Sequence, residues 1–145
     1  MINAFSNYGC SVIVIEKVKR EKIKDYGIID GIKVSNEVYD IRNIIEKPSL
    51  EDAPSNLGAI GRYVLTPDIF DILKEVKPGV GGEIQLTDAL QKLSKKIGLI
   101  TNCRRYDIGD KLGWMRANLE LTLQHQEFGS EMRKCLKILE SGDKH

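Results

Sequence analysis

The stretch SVIVIEKV, Ser11–Val18, decides the predicted fold class of this 145-residue chain. Its first five residues are small or β-branched and almost continuously apolar. A strand with one face in water alternates apolar and polar residues, whereas a strand covered on both faces reads as an apolar run. Strands covered on both faces are typical of α/β sheets, so the sequence predicts an α/β fold.

Three further segments predict strands between this run and residue 65. We expect two short strands about a turn at Asp30-Gly31, and a longer strand over residues 38–46. The next strand is predicted over residues 57–65. Its two glycines, Gly58 and Gly61, indicate a bulge or a close approach of another part of the chain.

Two helices are predicted after residue 65. Thr66-Pro67-Asp68 is a helix start, with Thr66 as the N-cap and proline at the first helical position. A strand over residues 99–106 is expected after the second helix. That helix is indicated by four apolar residues at spacings of four, three and four: Leu86, Leu90, Leu93 and Ile97.

The C-terminal segment, residues 111–140, has apolar residues at helical spacing and is predicted to form two helices separated near Gly129. We expect Trp114 to lie in a core and the two helices to offer an association surface. With a helix over residues 1–8, the predicted order of elements is αββββααβαα. The chain is interpreted as one partial domain over residues 1–145.

The composition argues against several classes of protein. Apolar residues make up 41% of the chain, and 22 Lys and Arg against 21 Asp and Glu give a formal charge of +1. This balance is too even for binding nucleic acid or an anionic membrane surface, and no apolar run is long enough to span a membrane. Three cysteines, odd in number and far apart, do not form a disulfide framework or a zinc site, so we expect a reducing, cytoplasmic environment.

The triplet Glu46-Lys47-Pro48 stands where the strand over residues 38–46 ends. In a purely structural interpretation, the two charged residues keep the end of an apolar strand from pairing with other chains. Proline ends the strand pairing because it has no N–H to donate. Alternatively, Pro48 holds Lys47 in an extended conformation, where its ammonium can pair with an anionic ligand and Glu46 can accept sugar hydroxyls. The two side chains can share a ligand only if the strand bulges or ends there.

Two other segments each have a functional and a structural interpretation. The glycine-rich PGVGGEIQL, Pro78–Leu86, lacks the lysine of a P-loop, and its pattern favours a helix-entry loop over a phosphate site. Asp107 follows the strand over residues 99–106 and can offer a carboxylate to a metal ion. The alternative, which the pattern favours, is that Asp107 and Asp110 shape a turn and a helix start.

Four motifs along the chain point to one enzyme family. They are YGIIDG from Tyr26, IIEKPSLEDAPSNLGAIGRYVLTPDIFDIL from Ile44, PGVGGEIQLTDAL from Pro78 and YDIGDKLGWMRANLELTL from Tyr106. In this order they closely resemble the bacterial UTP:glucose-1-phosphate uridylyltransferases, over the C-terminal half of those enzymes. One local departure is Gly82, where an acid is expected.

The resemblance implies an incomplete Rossmann-like, mixed-sheet nucleotidyltransferase fold. It also implies a reaction that joins glucose 1-phosphate to UTP with Mg²⁺ and gives UDP-glucose and pyrophosphate. A sugar-phosphate oxygen attacks the α-phosphorus in line, so the protein mostly positions reactants and neutralises charge. By resemblance, the Gly27 backbone contacts the sugar, Glu46 accepts its hydroxyls, and Lys47 binds its phosphate and acts in catalysis. Asp107 corresponds to a metal-binding acid of related sugar nucleotidyltransferases.

The nucleotide-binding motifs of this family belong to an N-terminal half that has no counterpart here. By resemblance, we expect the isolated chain to be inactive without an N-terminal complement polypeptide, and an apolar sheet edge along SVIVI to be exposed. The chain is then half of a split enzyme, the product of an internal start or a remnant of a truncated gene. The competing hypothesis is a non-catalytic module that binds sugar phosphate or forms a homo-oligomer.

Overall fold

The computed structural model describes residues 1–79, 82–106 and 108–142, and the chain divides into two compact units, Met1–Asn102 and Cys103–His145. The order αββββααβαα predicted from the sequence, in which the segment about Asp30-Gly31 counts once, is confirmed. A short 3-10 helix, Arg20–Asp25, lies between the first two strands. The other elements are α1 (Ile2–Tyr8), β1 (Ser11–Lys17), β2 (Gly27–Lys33), β3 (Val38–Glu46), β4 (Leu57–Val64), α2 (Ile69–Glu75), α3 (Leu86–Lys92), β5 (Lys96–Ile100), α4 (Lys111–Gln124) and α5 (Gly129–Ser141).

The first unit contains one mixed sheet in the order β1-β4-β2-β3-β5, which closes on itself because β5 also pairs with β1. β1 runs antiparallel to β4 and parallel to β5. β3 runs antiparallel to both β2 and β5. The predicted mixed α/β fold is therefore confirmed. The prediction of an exposed apolar sheet edge along SVIVI is wrong, because β1 has a hydrogen-bonded neighbour on each side.

The two faces of β1 pack into different apolar clusters. Ile13 and Ile15 lie in a cluster with Leu90 of α3, whereas Val12 packs with Ile97 and with half-buried Phe5 of α1. Burying an aliphatic side chain of this size stabilises a fold by about 1.5–3 kcal/mol. The continuous apolar run of β1 thus reflects cover on both faces, as its sequence predicted.

β2 is one strand rather than the two predicted. At Asp30-Gly31 the pairing with β3 shifts register, and a Cβ on Gly31 would lie 2.8 Å from the carbonyl oxygen of Asp40. The Asp-Gly pair therefore marks a bulge, which also needs close backbone approach. The chain turns later, over residues 34–37, where the N–H of Val34 donates to the carbonyl oxygen of Val38.

The interpretation of the two glycines in β4 is confirmed. A Cβ on Gly58 would lie only 2.8 Å from Cγ1 of Val18, so the backbone approaches its neighbour closely. Gly61 has a φ of +72° and lies where β4 bulges against β1. A positive φ of this kind is readily adopted by glycine alone.

Thr66 precedes α2 but does not cap it with its side chain. Its Oγ1 lies 2.9 Å from Oγ of the fully buried Ser11, and its N–H donates to the same oxygen at 3.0 Å. The prediction of Thr66 as N-cap is therefore wrong, although a helix does begin shortly after it, at Ile69. The hydroxyl instead ties the end of β4 to the start of β1.

α3 ends at Lys92, earlier than predicted. Leu90 and Leu93 are buried together, but Ile97 lies in β5 and belongs to another cluster. The ammonium of Lys96 donates to the carbonyl oxygens of Gln91 and Leu93 at 3.1 and 3.0 Å, which satisfies groups left open at a helix end. β5 consequently covers Lys96–Ile100, and the strand predicted over residues 99–106 is wrong beyond residue 100.

The second unit contains α4 and α5, which are separated just before Gly129 as predicted. The side chain of Asp110 caps α4, because it accepts hydrogen bonds from the N–H groups of Leu112 and Gly113 at 2.9 and 3.0 Å. Trp114 is 53% exposed, so its predicted place in a core is wrong. Within the described ranges, no helix has the length and apolar character needed to cross a membrane.

Candidate functional site

A cleft of about 370 Å³ opens in the first unit at the end of β3. The start of β2, the end of β3, the middle of β4 and the start of α3 surround it. Its walls are partly aliphatic, including Ile44 and Leu90. Its polar side chains come from Asp25, Tyr26, Glu46, Tyr63, Gln85 and Thr87.

Glu46 is the last residue of β3 and is half-buried in this cleft. The hydroxyl of Thr87 donates to its Oε2 at 2.5 Å. Among the residues that the structure describes, none forms a hydrogen bond with Oε1. One oxygen of the carboxylate is therefore held by α3, and the other is available to a ligand.

Gly27 begins β2 and pairs with Glu46 across the sheet. A Cβ on Gly27 would lie 3.1 Å from Oε2 of Glu46 and 3.6 Å from Cγ2 of Thr87. The absence of a side chain therefore leaves room for the carboxylate and its threonine partner. The structure thus places Gly27 and Glu46, two of the residues assigned to a site by resemblance, side by side in this cleft.

Lys47 lies next to the cleft but its side chain is exposed and is not part of the cleft lining. Its φ is +45°, so the extended conformation expected from Pro48 is wrong. The N–H of Lys47 donates to the carbonyl oxygen of Tyr26 at 3.0 Å, which holds the chain in this turn as β3 ends. Left-handed backbone at a residue other than glycine costs about 1–3 kcal/mol and is concentrated at functional sites.

β3 ends at Glu46, and a strand that bulges or ends there is the condition for Glu46 and Lys47 to share a ligand. In a continuous strand their side chains would point to opposite faces. Because β3 ends at Glu46, that alternation does not extend to Lys47. The two side chains nevertheless occupy different surroundings, one inside the cleft and one in solvent.

The cleft favours hydroxyl groups over anions. Its described lining includes the carboxyl groups of Asp25 and Glu46 and contains no Lys or Arg. Burial raises the pKa of Tyr63 above its usual range, and the nearby carboxylate of Glu46 raises it further. Tyr63 therefore stays protonated at neutral pH and keeps an O–H that can donate.

Asp107, the predicted metal ligand, lies outside the described residues. Its neighbour Asp110 caps α4, which agrees with the structural interpretation of that residue. Within the described ranges, no three His, Cys, Asp or Glu side chains come together in a way that would hold a metal ion. The described residues therefore do not by themselves form a metal centre.

The sequence did not identify Thr87 or Tyr63 as site residues. Thr87 is 41 residues away from Glu46 along the chain, and no local spacing connects them. The interpretation of PGVGGEIQL as a loop that leads into a helix is consistent with α3, which starts at Leu86. The one sequence signal for Thr87 is its position directly after the glycine-rich loop, at the start of a helix.

Three known proteins show what the chain is similar to. A Methanocaldococcus jannaschii protein, provisionally named a UTP–glucose-1-phosphate uridylyltransferase, is 48% identical over 143 residues, which are 96% of this chain and 50% of the relative. The UTP–glucose-1-phosphate uridylyltransferase of Haemophilus ducreyi is 42% identical over 146 residues, with 96% and 49% covered. A crystal structure of UDP-glucose pyrophosphorylase complexed with UDP-glucose matches with a TM-score of 0.79 and 44% identity, over 85% of this chain and 48% of that one.

The chain spans about half the length of the curated relatives it matches. The resemblance to UTP:glucose-1-phosphate uridylyltransferases in the four motifs is confirmed, and so is the mixed-sheet nucleotidyltransferase fold. Residues 1–123, well over half of the chain, match the family described as Nucleotidyl transferase. The chain therefore belongs to the nucleotidyl transferase family.

Proposed function

We propose that this chain carries the sugar-phosphate side of the active site of a UTP:glucose-1-phosphate uridylyltransferase. In the complete reaction, UTP and glucose 1-phosphate give UDP-glucose and pyrophosphate. The observation that carries the proposal is the placement of the Glu46 carboxylate between Gly27 and Thr87 in the cleft. The similarity to proteins of that name, and to an enzyme crystallised with UDP-glucose, supports it.

The hexose is the part of the ligand that suits the cleft. Oε1 of Glu46 accepts from a sugar hydroxyl, and a hydrogen bond to a charged group contributes about 1.5–3 kcal/mol. Tyr63 of β4 also lines the cleft and offers a neutral O–H. At Gly27 the backbone can approach the sugar closely, because no side chain stands between them.

The phosphate group belongs at the rim, near Lys47. The acidic lining of the cleft repels a phosphate, whereas the exposed ammonium of Lys47 follows Glu46 directly. A lysine is a compact charge on a flexible stem, so it can follow the phosphate as charge develops on it. In catalysis Lys47 neutralises that charge while the cleft holds the sugar.

The nucleotide side of the reaction is assigned to the part of the relatives that this chain does not cover, since the chain spans about half of their length. UTP binding and turnover require that other half under this proposal. Mg²⁺ binding with help from Asp107, and a cytoplasmic location, stay predictions drawn from the resemblance and the composition.

Calorimetric titration of the chain with glucose 1-phosphate tests the sugar-phosphate site. We expect binding by the unaltered chain and at least tenfold weaker binding by Glu46→Gln, because a charged acceptor is lost. Glu51→Gln, at an exposed acid of the following loop, is the matched control and should bind normally. Absence of binding, or equal affinity in all three proteins, would contradict the proposal.

A complementation assay tests the catalytic assignment. The N-terminal half of the M. jannaschii relative is mixed with this chain, and UDP-glucose formation from UTP and glucose 1-phosphate is measured. We expect activity only in the mixture, and a rate about 100-fold lower with Lys47→Ala, the effect of losing one charge-stabilising donor. Lys33→Ala, at another exposed lysine, should be neutral; an unchanged rate with Lys47→Ala would remove Lys47 from the mechanism.

Subunit association is a second candidate function, and the second unit favours it. α4 and α5 leave large apolar side chains in solvent, where they can contact another subunit. This surface is compatible with the uridylyltransferase proposal, since many enzymes are oligomers. The exposed large apolar residues within these two helices are Leu112, Trp114, Met115, Leu119, Leu121 and Leu139.

A further inference from the structure

We propose that Thr87 is a positioning residue that orients the Glu46 carboxylate toward a polyhydroxylated ligand. Its hydroxyl holds Oε2, which leaves Oε1 as the acceptor presented to the cleft. The identity of the ligand, a hexose phosphate, rests on the proposed function. The positioning itself rests on the geometry of the first unit alone.

The helix that carries Thr87 is packed into the core. Thr87 is the second residue of α3. In the same helix, Ala89 and Leu90 are buried in the core, at 0% and 1% exposure. Threonine is branched at Cβ, so few side-chain conformations are open to it. The hydroxyl is thus fixed both by the packing of the helix and by its own stiffness.

Glu46 needs such a partner because it stands at a strand end. Beyond Glu46 the chain turns at Lys47, and the side chain of Glu46 is only half-buried. A free glutamate in that setting would sample several conformations, and ordering it on binding would reduce the affinity. A hydrogen bond to an ionised carboxylate is short and strong, so it orders the group before the ligand arrives.

Gly27 completes the arrangement. Oε2 of Glu46 and Cγ2 of Thr87 lie 3.1 and 3.6 Å from where a Cβ of residue 27 would stand. Because Gly27 has no side chain, it leaves room for both the carboxylate and the methyl group of Thr87. Three elements, β2, β3 and α3, meet at this one group.

Spectroscopy without any ligand tests the positioning role. The side-chain carboxyl carbon of Glu46 is observed by NMR in the unaltered chain, in Thr87→Val and in Thr87→Ser. Valine has nearly the same shape without the hydroxyl, whereas serine keeps the hydroxyl without the methyl. We expect the Glu46 signal to move in Thr87→Val and to stay near its original position in Thr87→Ser. No movement in Thr87→Val would overturn the inference.

Binding measurements with glucose 1-phosphate then separate this inference from the proposed function. We expect affinity about tenfold lower in Thr87→Val and close to normal in Thr87→Ser, at unchanged unfolding midpoints. Equal loss in both variants would assign the effect to packing and overturn the positioning role. If even the unaltered chain fails to bind while the Glu46 signal still responds to Thr87→Val, the proposed function fails and the positioning role stands.

Discussion

The two units of the chain have similar apolar patterns, but the apolar side chains are buried in the first unit and largely exposed in the second. In the first unit, the apolar residues of β1 and α3 are covered by the closed sheet and its helices, and Leu90 is 1% exposed. In the second unit, Leu121 of α4 is 55% exposed and Trp114 is 53% exposed. Helical spacing predicts where a helix forms, but it does not say whether the apolar side chains are covered within the chain.

Matched leucine substitutions should show the largest difference between the units. We expect Leu90→Ala to lower the free energy of unfolding by about 3 kcal/mol, because it removes buried methyl groups and leaves a cavity. Leu121→Ala should change it by about 0.5 kcal/mol or less, because its side chain is already in water. Urea denaturation followed by circular dichroism measures both; equal losses would abolish the contrast.

Replacing Trp114 tests whether the exposed helices of the second unit bind another subunit. If the chain self-associates through them, Trp114→Ala should weaken the association by about 2 kcal/mol, as expected for an aromatic anchor at an interface. Analytical ultracentrifugation over a range of concentrations measures the effect. Phe70→Ala, at an exposed aromatic residue of the first unit, is the control. A monomer at every concentration would contradict the association proposal.

Helix capping offers a smaller contrast. Asp110 accepts two backbone hydrogen bonds at the start of α4, whereas the side chain of Asp68 makes no capping bond at the start of α2. Asp110→Ala should therefore destabilise α4 by about 1 kcal/mol, and Asp68→Ala should have little effect. Amide hydrogen exchange in the first turn of each helix measures both variants, and a larger rise in exchange in α2 with Asp68→Ala than in α4 with Asp110→Ala would contradict the capping assignment.

The smallest expected effect concerns the ionisation of Tyr63. Burial first and the Glu46 carboxylate second raise its pKa, so Glu46→Gln should lower the pKa of Tyr63 while burial keeps part of the shift. The folded state holds this proton more tightly than the unfolded state. The resulting stability is complete below about pH 10 and is lost as the pH rises through the folded pKa. Carbon NMR of the tyrosine rings measures the pKa, and Tyr106 of the second unit should not respond.

The sequence predicted those features that depend on local residue types. The apolar run of β1, the bounds of β3 and the glycines of β4 all follow from side-chain pattern and backbone conformation, and the structure agrees. The errors arose where a contact made only in the folded chain decides the outcome. Lys96 bonds to the carbonyl oxygens of Gln91 and Leu93 at the end of α3, and Thr66 bonds to Ser11, 55 residues away.

The candidate site shows the same division. Glu46 and Gly27 were predicted because the motifs that contain them resemble a known family, and they do meet in one cleft. Thr87 was missed because its contact with Glu46 exists only once α3 packs beside β3. The extended conformation expected for Lys47 failed because its N–H bonds to Tyr26 and turns the chain, which outweighs the local preference before proline.

An NMR titration with glucose 1-phosphate, followed through backbone amide signals, maps where the sugar phosphate binds. We expect saturable shifts at Gly27, Glu46 and Thr87, around one cleft of the first unit, with little change along α4 and α5. Shifts confined to the second unit, or none at the end of β3, would contradict the assignment of this cleft as the sugar-phosphate site.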